Sequence, residues 1–515
     1  MQRAGRAIKS VMGIASVLVF GPIALSACSF VPAYQKPAVP LATQWQGTQE
    51  PGQQIASGGE WWRSFNSIEL DGLIARGLAN NNNLQAALSR IDEAEATAEV
   101  AGATNYPALS LGGLGQKVNN YSTTTKQSGF LQATYEFDFW GKARAAAHSS
   151  QALALASRFD AQTMHMTLSA TIANTYFQVL SLEERLKLAQ TIADDAGQVL
   201  QLVTVQASQG AASNLDVSQQ RNAQQTFQAA VPVLRQQRDL ALYQLTTLIG
   251  VPPQGLTLSQ DSLAGVVIPR PTLGIPADLL FQRPDVEAAE ARLRSANFDV
   301  GVARAALLPN LSVDLIGGID TLAGNTIWSA IGTLAQPIFM GGALRGQVRF
   351  DRAHATELAA TYRESLIEAL QDVETQLSAA RNLDQAYDMD EAAVASAREA
   401  QRLSQIRYRL GASDFQTLLI VERTVYQAED TLLQVRLQHL QAAVGLFRAL
   451  GGDFKTAAVP QGAAPSARVA SAPSTLKLTP TSTSTTTTPT TSTAQAATIA
   501  SSQFQPHPSS RASQP

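Results

Sequence analysis

The stretch Leu131-Gln132-Ala133-Thr134-Tyr135-Glu136-Phe137-Asp138-Phe139-Trp140-Gly141-Lys142-Ala143-Arg144 changes its period halfway. Up to Phe139, apolar and polar residues alternate one by one, the spacing of a strand with one apolar face and one acid-bearing face. After Gly141 no proline occurs until Pro232, and the chain as far as Gln209 is rich in Ala, Leu, Gln, Glu and Lys, all good helix formers. About 68 residues at 1.5 Å each make a helix of roughly 100 Å. Globular proteins average about 11 or 12 residues per helix, so this length needs a reason. The strand, at roughly 9 to 11 residues, fits a tilted span between lipid and a water-filled lumen. A half-buried strand of a soluble sheet alternates in the same way.

The change of period occurs twice. Phe139-Trp140-Gly141-Lys142-Ala143-Arg144 is answered by Phe339-Met340-Gly341-Gly342-Ala343-Leu344-Arg345, an offset of about 200 residues. At nearly the same offset, Ala103 to Ser110 is matched by Ala305 to Ser312, Ala207 to Ser213 by Tyr408 to Ser413, and Leu248-Ile249-Gly250 by Ala449-Leu450-Gly451. An ordered set at one spacing marks an internal repeat. Each copy reads as helix, strand, strand, long helix, long helix. In the first, a helix from about Leu84 is stopped by Pro107, and Leu109 to Val118 and Leu131 to Phe139 are the strands. In the second, Leu311, Val313 and Leu315 alternate with Ser312 and Asp314, and Ile327 to Gln336 takes the last strand position. The long helices end at Gly210 and Gly411, with Ser and Asn or Asp following as the next N-cap, so each copy closes in an αα-hairpin reaching Gly250 or Gly451. In the last helix Leu418, Val421, Val425, Ala428, Leu432, Val435, His439 and Ala442 follow the three-four spacing of a coiled coil. The expected fold is mainly α, a two-repeat subunit of long antiparallel helices, with a small membrane β portion of four strands.

The chain of 515 residues has one cysteine, which excludes an internal disulfide. Arg3, Arg6 and Lys9, then an apolar run from Val11 to about Leu25, then small residues, form the layout of a secretory signal peptide. The run is about 15 residues, short of the roughly 20 that a spanning helix needs. Leu25-Ser26-Ala27-Cys28 resembles a bacterial lipobox, which implies cleavage before Cys28 and acylation of its thiol; Ser29, where an aspartate favours inner-membrane retention, points to the outer membrane. The alternative is an ordinary cleavage site followed by a lone buried cysteine. Loss of residues 1–27 removes Arg3, Arg6 and Lys9 and no acid, so the formal charge goes from −3 to −6, and nothing suggests nucleic acid. Residues 455–515 are Ser, Thr, Pro and Ala with few large apolar side chains, too few to offset the entropy of ordering, which predicts a disordered tail.

Enzymatic chemistry has little to stand on. No two of the five histidines are spaced as a helical zinc pair. The sequence contains no Gly-x-Ser-x-Gly elbow and no Gly-rich loop with lysine for phosphates, and the single thiol belongs to the lipobox. No metal and no cofactor is expected, apart from the covalent lipid on Cys28.

The landmarks together resemble the outer-membrane efflux protein family of TolC and OprM type, and its lipoprotein branch more closely, over about residues 28 to 454. The resemblance rests on Trp61-Trp62 with Leu73-Ile74 and Asn80-Asn81-Asn82; Tyr135 to Gly141; Arg283-Pro284-Asp285 with Ala288-Ala289-Glu290; Pro337-Ile338-Phe339 with Gly341-Gly342; and Tyr408 to Gly411 with Leu418-Leu419. Gln282 departs from the pattern, since relatives usually carry a second arginine there, at a motif that is structural. The resemblance implies that three chains form a twelve-stranded barrel continued by a helical tunnel through the periplasm. The implied partners are a periplasmic adaptor, an inner-membrane RND transporter and outer-membrane lipid. It divides the chain into a signal peptide (1–27), a lipid-anchored segment (28–68), repeats at 69–266 and 267–454, and the tail (455–515).

The hairpin turns are the candidate functional positions. Gly210, Ser213 and Asn214 in one copy and Gly411, Ser413 and Asp414 in the other lie at the tunnel end where family adaptors dock. Each polar residue here has two readings, a helix cap and a group facing the pore; Asp414, as a threefold ring, would attract cations and hold the end shut. Three functions follow: a passive exit duct for drugs, toxic small molecules or metal ions; the exit duct of a type I protein secretion system; and a lipid-anchored coiled-coil scaffold with no pore.

Overall fold

A computed structural model describes residues 29–39, 45, 60–120, 122–254, 256–269, 283–320 and 324–452. The predicted signal peptide, Cys28, Gln282 and the predicted tail lie outside the described residues. After a short 3-10 helix, Trp61–Phe65, come α1 (Ile68–Asn80), α2 (Asn82–Ala103), β1 (Ala108–Asn120), β2 (Ser122–Phe137), α3 (Lys142–Ser208) and α4 (Asn214–Leu248). Then follow α5 (Pro284–Ala305), β3 (Asn310–Asp320), β4 (Thr326–Ala335), α6 (Ala343–Arg409) and α7 (Phe415–Ala449).

The repeat is copied to the residue. Helices α3 and α6 have 67 residues each, α4 and α7 have 35 each, and α2 and α5 have 22 each. Along α3 pack both α2 and α4, and α5 joins α3 to α6, which carries α7. Each long helix starts after a left-handed glycine, Gly141 at φ 76 and Gly342 at φ 87, a backbone state that costs other residues a Cβ clash. Pro232 sits inside α4. Proline has no N–H for the Gln228 carbonyl, and both residues are exposed, so that carbonyl is open to solvent where the helix continues.

All four strands form one antiparallel sheet in the order β1-β2-β3-β4. β2 begins at Ser122 rather than at Leu131, because register with β1 runs from Ala108 opposite Thr134 to Asn120 opposite Ser122. Ladder hydrogen bonds use backbone groups only, so the polar run Ser122 to Ser128 becomes strand with no alternation to announce it.

Midway along α3 lies the main core. Trp61, Phe65, Ile74, Tyr176, Phe177 and Phe447 are buried there, and Trp61 stacks on Phe447 with ring centres 5.4 Å apart. Arg283 joins the second copy at the same level. Its buried guanidinium pairs with Asp285 at 2.8 Å and donates to the Ala449 carbonyl at 2.9 Å, a cation at the C-terminal end of α7. The motif Arg283-Pro284-Asp285 is thus a structural clasp, with Pro284 opening α5.

Candidate functional site

Register gives the sheet two faces. On one, Tyr135 opposes Val313, Ala133 opposes Leu315 and Leu131 opposes Gly317, while Leu109 and Leu111 extend the row on β1 and Ala330 and Trp328 on β4. On the other, Glu136 opposes Ser312 and Thr134 opposes Asp314, with the Thr134 hydroxyl donating to Asp314 Oδ1 at 2.7 Å. A carboxylate facing hydrocarbon costs several kcal/mol, so the Glu136 and Asp314 face is the water side and the Trp328 face the lipid side. Within one chain β1 and β4 are edges, whose unpaired backbone groups must find partners in lipid. Among the described residues no helix is long and apolar enough to cross a membrane, and no cluster of His, Cys, Asp or Glu is placed to hold a metal.

At the far ends of the long helices the two turns share one geometry. Gly210 has φ 74 and Gly411 φ 69. The Ala211 N–H donates to the Gln206 carbonyl and the Ala412 N–H to the Arg407 carbonyl, both at 2.8 Å, closing each helix in a Schellman motif. The N-caps of the returning helices are Ser213 and Asp414. Ser213 Oγ accepts from the Asp216 N–H at 3.1 Å, and the Asp216 carboxylate accepts back from the Ser213 N–H at 2.8 Å. Asp414 accepts from the Thr417 N–H at 2.7 Å, and hydrogen bonding from the Thr417 side chain, then from that N–H, holds its exposed carboxyl below the ordinary value. Asn214 is the first residue of α4 and Ser413 precedes the Asp414 cap, so neither caps a helix.

Contacts between the hairpins lie above these turns, and sequence reading did not find them. The Tyr408 hydroxyl donates to Gln206 Oε1 at 3.0 Å. Arg185 binds Asp430 through two donors, at 2.6 and 3.1 Å. Phe227 and Tyr426 meet edge to face at 5.7 Å. Burial first, then the charge of Asp216, raises the Tyr408 hydroxyl above its ordinary value, so it stays a donor at neutral pH.

The first described residues form a strap along α5. Phe30 packs against Trp140 at 6.0 Å, and the Trp140 ring N–H donates to the Pro309 carbonyl at 2.6 Å, where helices meet sheet. Further along, Glu290 receives Lys36 at 2.6 Å, Arg294 at 2.6 Å and the Tyr34 hydroxyl at 3.4 Å. Burial pushes the Glu290 carboxyl up, and the hydrogen bonds from Lys36 and Arg294 outweigh it, leaving the group below its ordinary value.

A sheet with a lipid face and an acid face, continued by helical hairpins of this length, defines an outer-membrane channel-tunnel subunit. The sequence profile of the outer membrane efflux protein family matches residues 73–251 and again 275–452. The pyoverdine export outer membrane protein OpmQ of Pseudomonas aeruginosa is 36% identical over 85% of this chain and 97% of its own length. The probable efflux pump outer membrane protein TtgC of Pseudomonas putida is 30% identical over 84% of this chain and 93% of its own. A crystallised membrane protein from Pseudomonas aeruginosa superposes with a TM-score of 0.76 at 27% identity, over 82% of this chain and all of the other. The chain belongs to the outer membrane efflux protein family, whose members are channel and transport proteins of the outer membrane.

Proposed function

We propose that three copies of this chain close a twelve-stranded barrel and continue it as a tunnel into the periplasm, forming the passive exit duct of a tripartite RND-type efflux pump. The observation that carries this reading is the four-stranded sheet, with one apolar face, one carboxylate face and two unpaired edges. Three sheets joined edge to edge leave no backbone group open to lipid. OpmQ is named for pyoverdine export and TtgC for an efflux pump, which favours a duct for drugs, toxic small molecules or metal ions over one for secreted protein. Energy comes from an inner-membrane transporter joined by a periplasmic adaptor, and the duct itself carries out no catalysis.

In this reading the adaptor meets the turns around Gly210, Ser213, Asn214, Gly411, Ser413 and Asp414, and residues 1–27 are removed to leave an acylated Cys28. The strap from Ser29 to Val39 supports that anchor, because Phe30 sits beside Trp140 where helix gives way to sheet. The repeats then occupy 69–266 and 267–454, with 455–515 as an appended tail. Purified protein in a planar bilayer is expected to give discrete conductance steps, and electron microscopy to show threefold particles. A protein that never conducts and remains monomeric in detergent would return the chain to the scaffold reading. Palmitate labelling of wild type and Cys28→Ala tests the anchor separately, with label expected only in the wild type.

A further inference from the structure

Between the two hairpins, where α3, α4, α6 and α7 meet, lies a cavity of about 350 Å³ lined by Asp195, Gln198, Phe227, Gln405, Arg409 and Glu422 among others. It sits between two attractive contacts. Along α3, Asp195 is ten residues from Arg185, which binds Asp430, and eleven from Gln206, which binds Tyr408. Each contact is therefore about 15 Å away at 1.5 Å per residue. The cavity itself is different in kind, because half-buried Glu422 of α7 and exposed Asp195 of α3, two carboxylates, line it together. Facing Glu422 are Asp195 from α3 and Arg409 from α6; α4 lends the uncharged Phe227, and Tyr426 follows one turn on along α7. Among the described residues no ion pair joins Arg409 to Glu422.

We propose that Glu422 and Asp195 form a proton-operated latch: with Glu422 protonated the two hairpins pack against each other, and with both groups ionised the pair repels and the hairpins part. Burial, and after it the charge of Asp195, pushes the Glu422 carboxyl up to about 7 in the packed state. Separation admits water and returns the group toward its ordinary 4.5, releasing the proton to the periplasm. The sign follows from linkage. An acid whose value is raised in the packed state favours packing at low pH, and that preference is lost as pH climbs from the ordinary value to the raised one. With values of 4.5 and about 7, the ratio of parted to packed hairpins rises roughly twenty-fold between about pH 5.5 and about pH 7.5.

This inference concerns how the hairpins of one chain pack and does not need the trimeric reading. Spin labels placed at exposed Gln201 on α3 and Gln427 on α7 of the intact protein report the distance between hairpins. In the wild type the longer distance should gain population over that pH range. Glu422→Gln keeps the shape of the protonated acid and should hold the short distance at every pH. Asp195→Asn removes the repelling charge and should move the wild-type midpoint to higher population of the short distance at neutral pH. The latch is refuted by a wild-type distance indifferent to pH, or by Glu422→Gln following the wild-type curve with its helical circular dichroism intact.

Discussion

Tyr408 and Gln206 join the two hairpins of one chain, a hydroxyl to a side-chain carbonyl at 3.0 Å, within one turn of the ends of α6 and α3. The bond is half-buried and spans 202 residues of sequence, so it exists only when the hairpins lie together. Tyr408→Phe deletes the donor and keeps the ring against Phe415, 5.8 Å away. One hydrogen bond of this kind contributes about 1 kcal/mol, a roughly five-fold change in a two-state balance. Bilayer recordings of Tyr408→Phe and of Gln206→Ala should both show raised open probability, with the double variant no higher than either. Additive effects would mean that the two residues act separately.

Asp414 caps α7, and a ring of three would place negative charge at the tunnel's end. Asp414→Asn keeps an N-cap acceptor while removing the charge, whereas Asp414→Ala also loses the cap at a cost of about 1 kcal/mol. Both should raise conductance and weaken cation preference. Asp216 lies in the first turn of α4, where it serves the Ser213 capping box, and Asp216→Asn should do less. If Asp414→Asn conducts and selects as the wild type does, the residue is a cap and nothing more.

Glu290 ties the N-terminal strap to α5, and because its carboxyl is held below the ordinary value, the clamp gives stability above the ordinary carboxyl range and loses it as pH falls through the lowered value. Glu290→Gln should therefore free the strap at neutral pH much as acid does in the wild type. Protease cleavage within residues 29–39 measures this: rapid cutting in the variant at neutral pH is expected, and equal resistance at all pH values would show that Tyr34 and Phe30 hold the strap without the charges.

Two glycines of the same backbone state should respond differently to alanine. Gly210, at φ 74, has open space where a Cβ would go, so Gly210→Ala costs only the left-handed penalty of about 1 kcal/mol. Gly250, at φ 71, would drive a Cβ into the Asn80 carbonyl oxygen, backbone that cannot yield without moving α1. Thermal melts followed by circular dichroism should show a small shift for Gly210→Ala and one at least twice as large for Gly250→Ala. Equal shifts would mean that α1 moves freely.

Most of the helical frame could be read from the sequence because its signals are local. Gly141, Gly210, Gly342 and Gly411 need left-handed backbone, and no proline interrupts the chain from Gly141 to Gly210 or from Gly342 to Gly411. The beginning of β2 was hidden, since Ser122 to Ser128 has no apolar face and is strand only by pairing with β1. Residues at the turns were legible as caps, although which residue caps depended on the return angle of the chain: Ser213 and Asp414 do, Asn214 and Ser413 do not. Contacts such as Tyr408 with Gln206, or Glu290 with Lys36, join positions more than 200 residues apart, and nothing in either neighbourhood names its partner. The offset of the repeat offered one clue that went unread: Gln206 and Tyr408 fall at nearly equivalent places in the two copies.

The equal lengths of α3 and α6, 67 residues each, limit how this chain can evolve. One inserted residue turns a helix by about 100° and lengthens it by 1.5 Å. An insertion in α3 alone would swing Gly210 away from Gly411 and carry Gln206 out of register with Tyr408. Length changes must arrive in both copies, or in steps of about seven residues that restore the phase of the coil. Each copy is the other's ruler, so tunnel length in such a lineage should vary by whole heptads and in matched pairs.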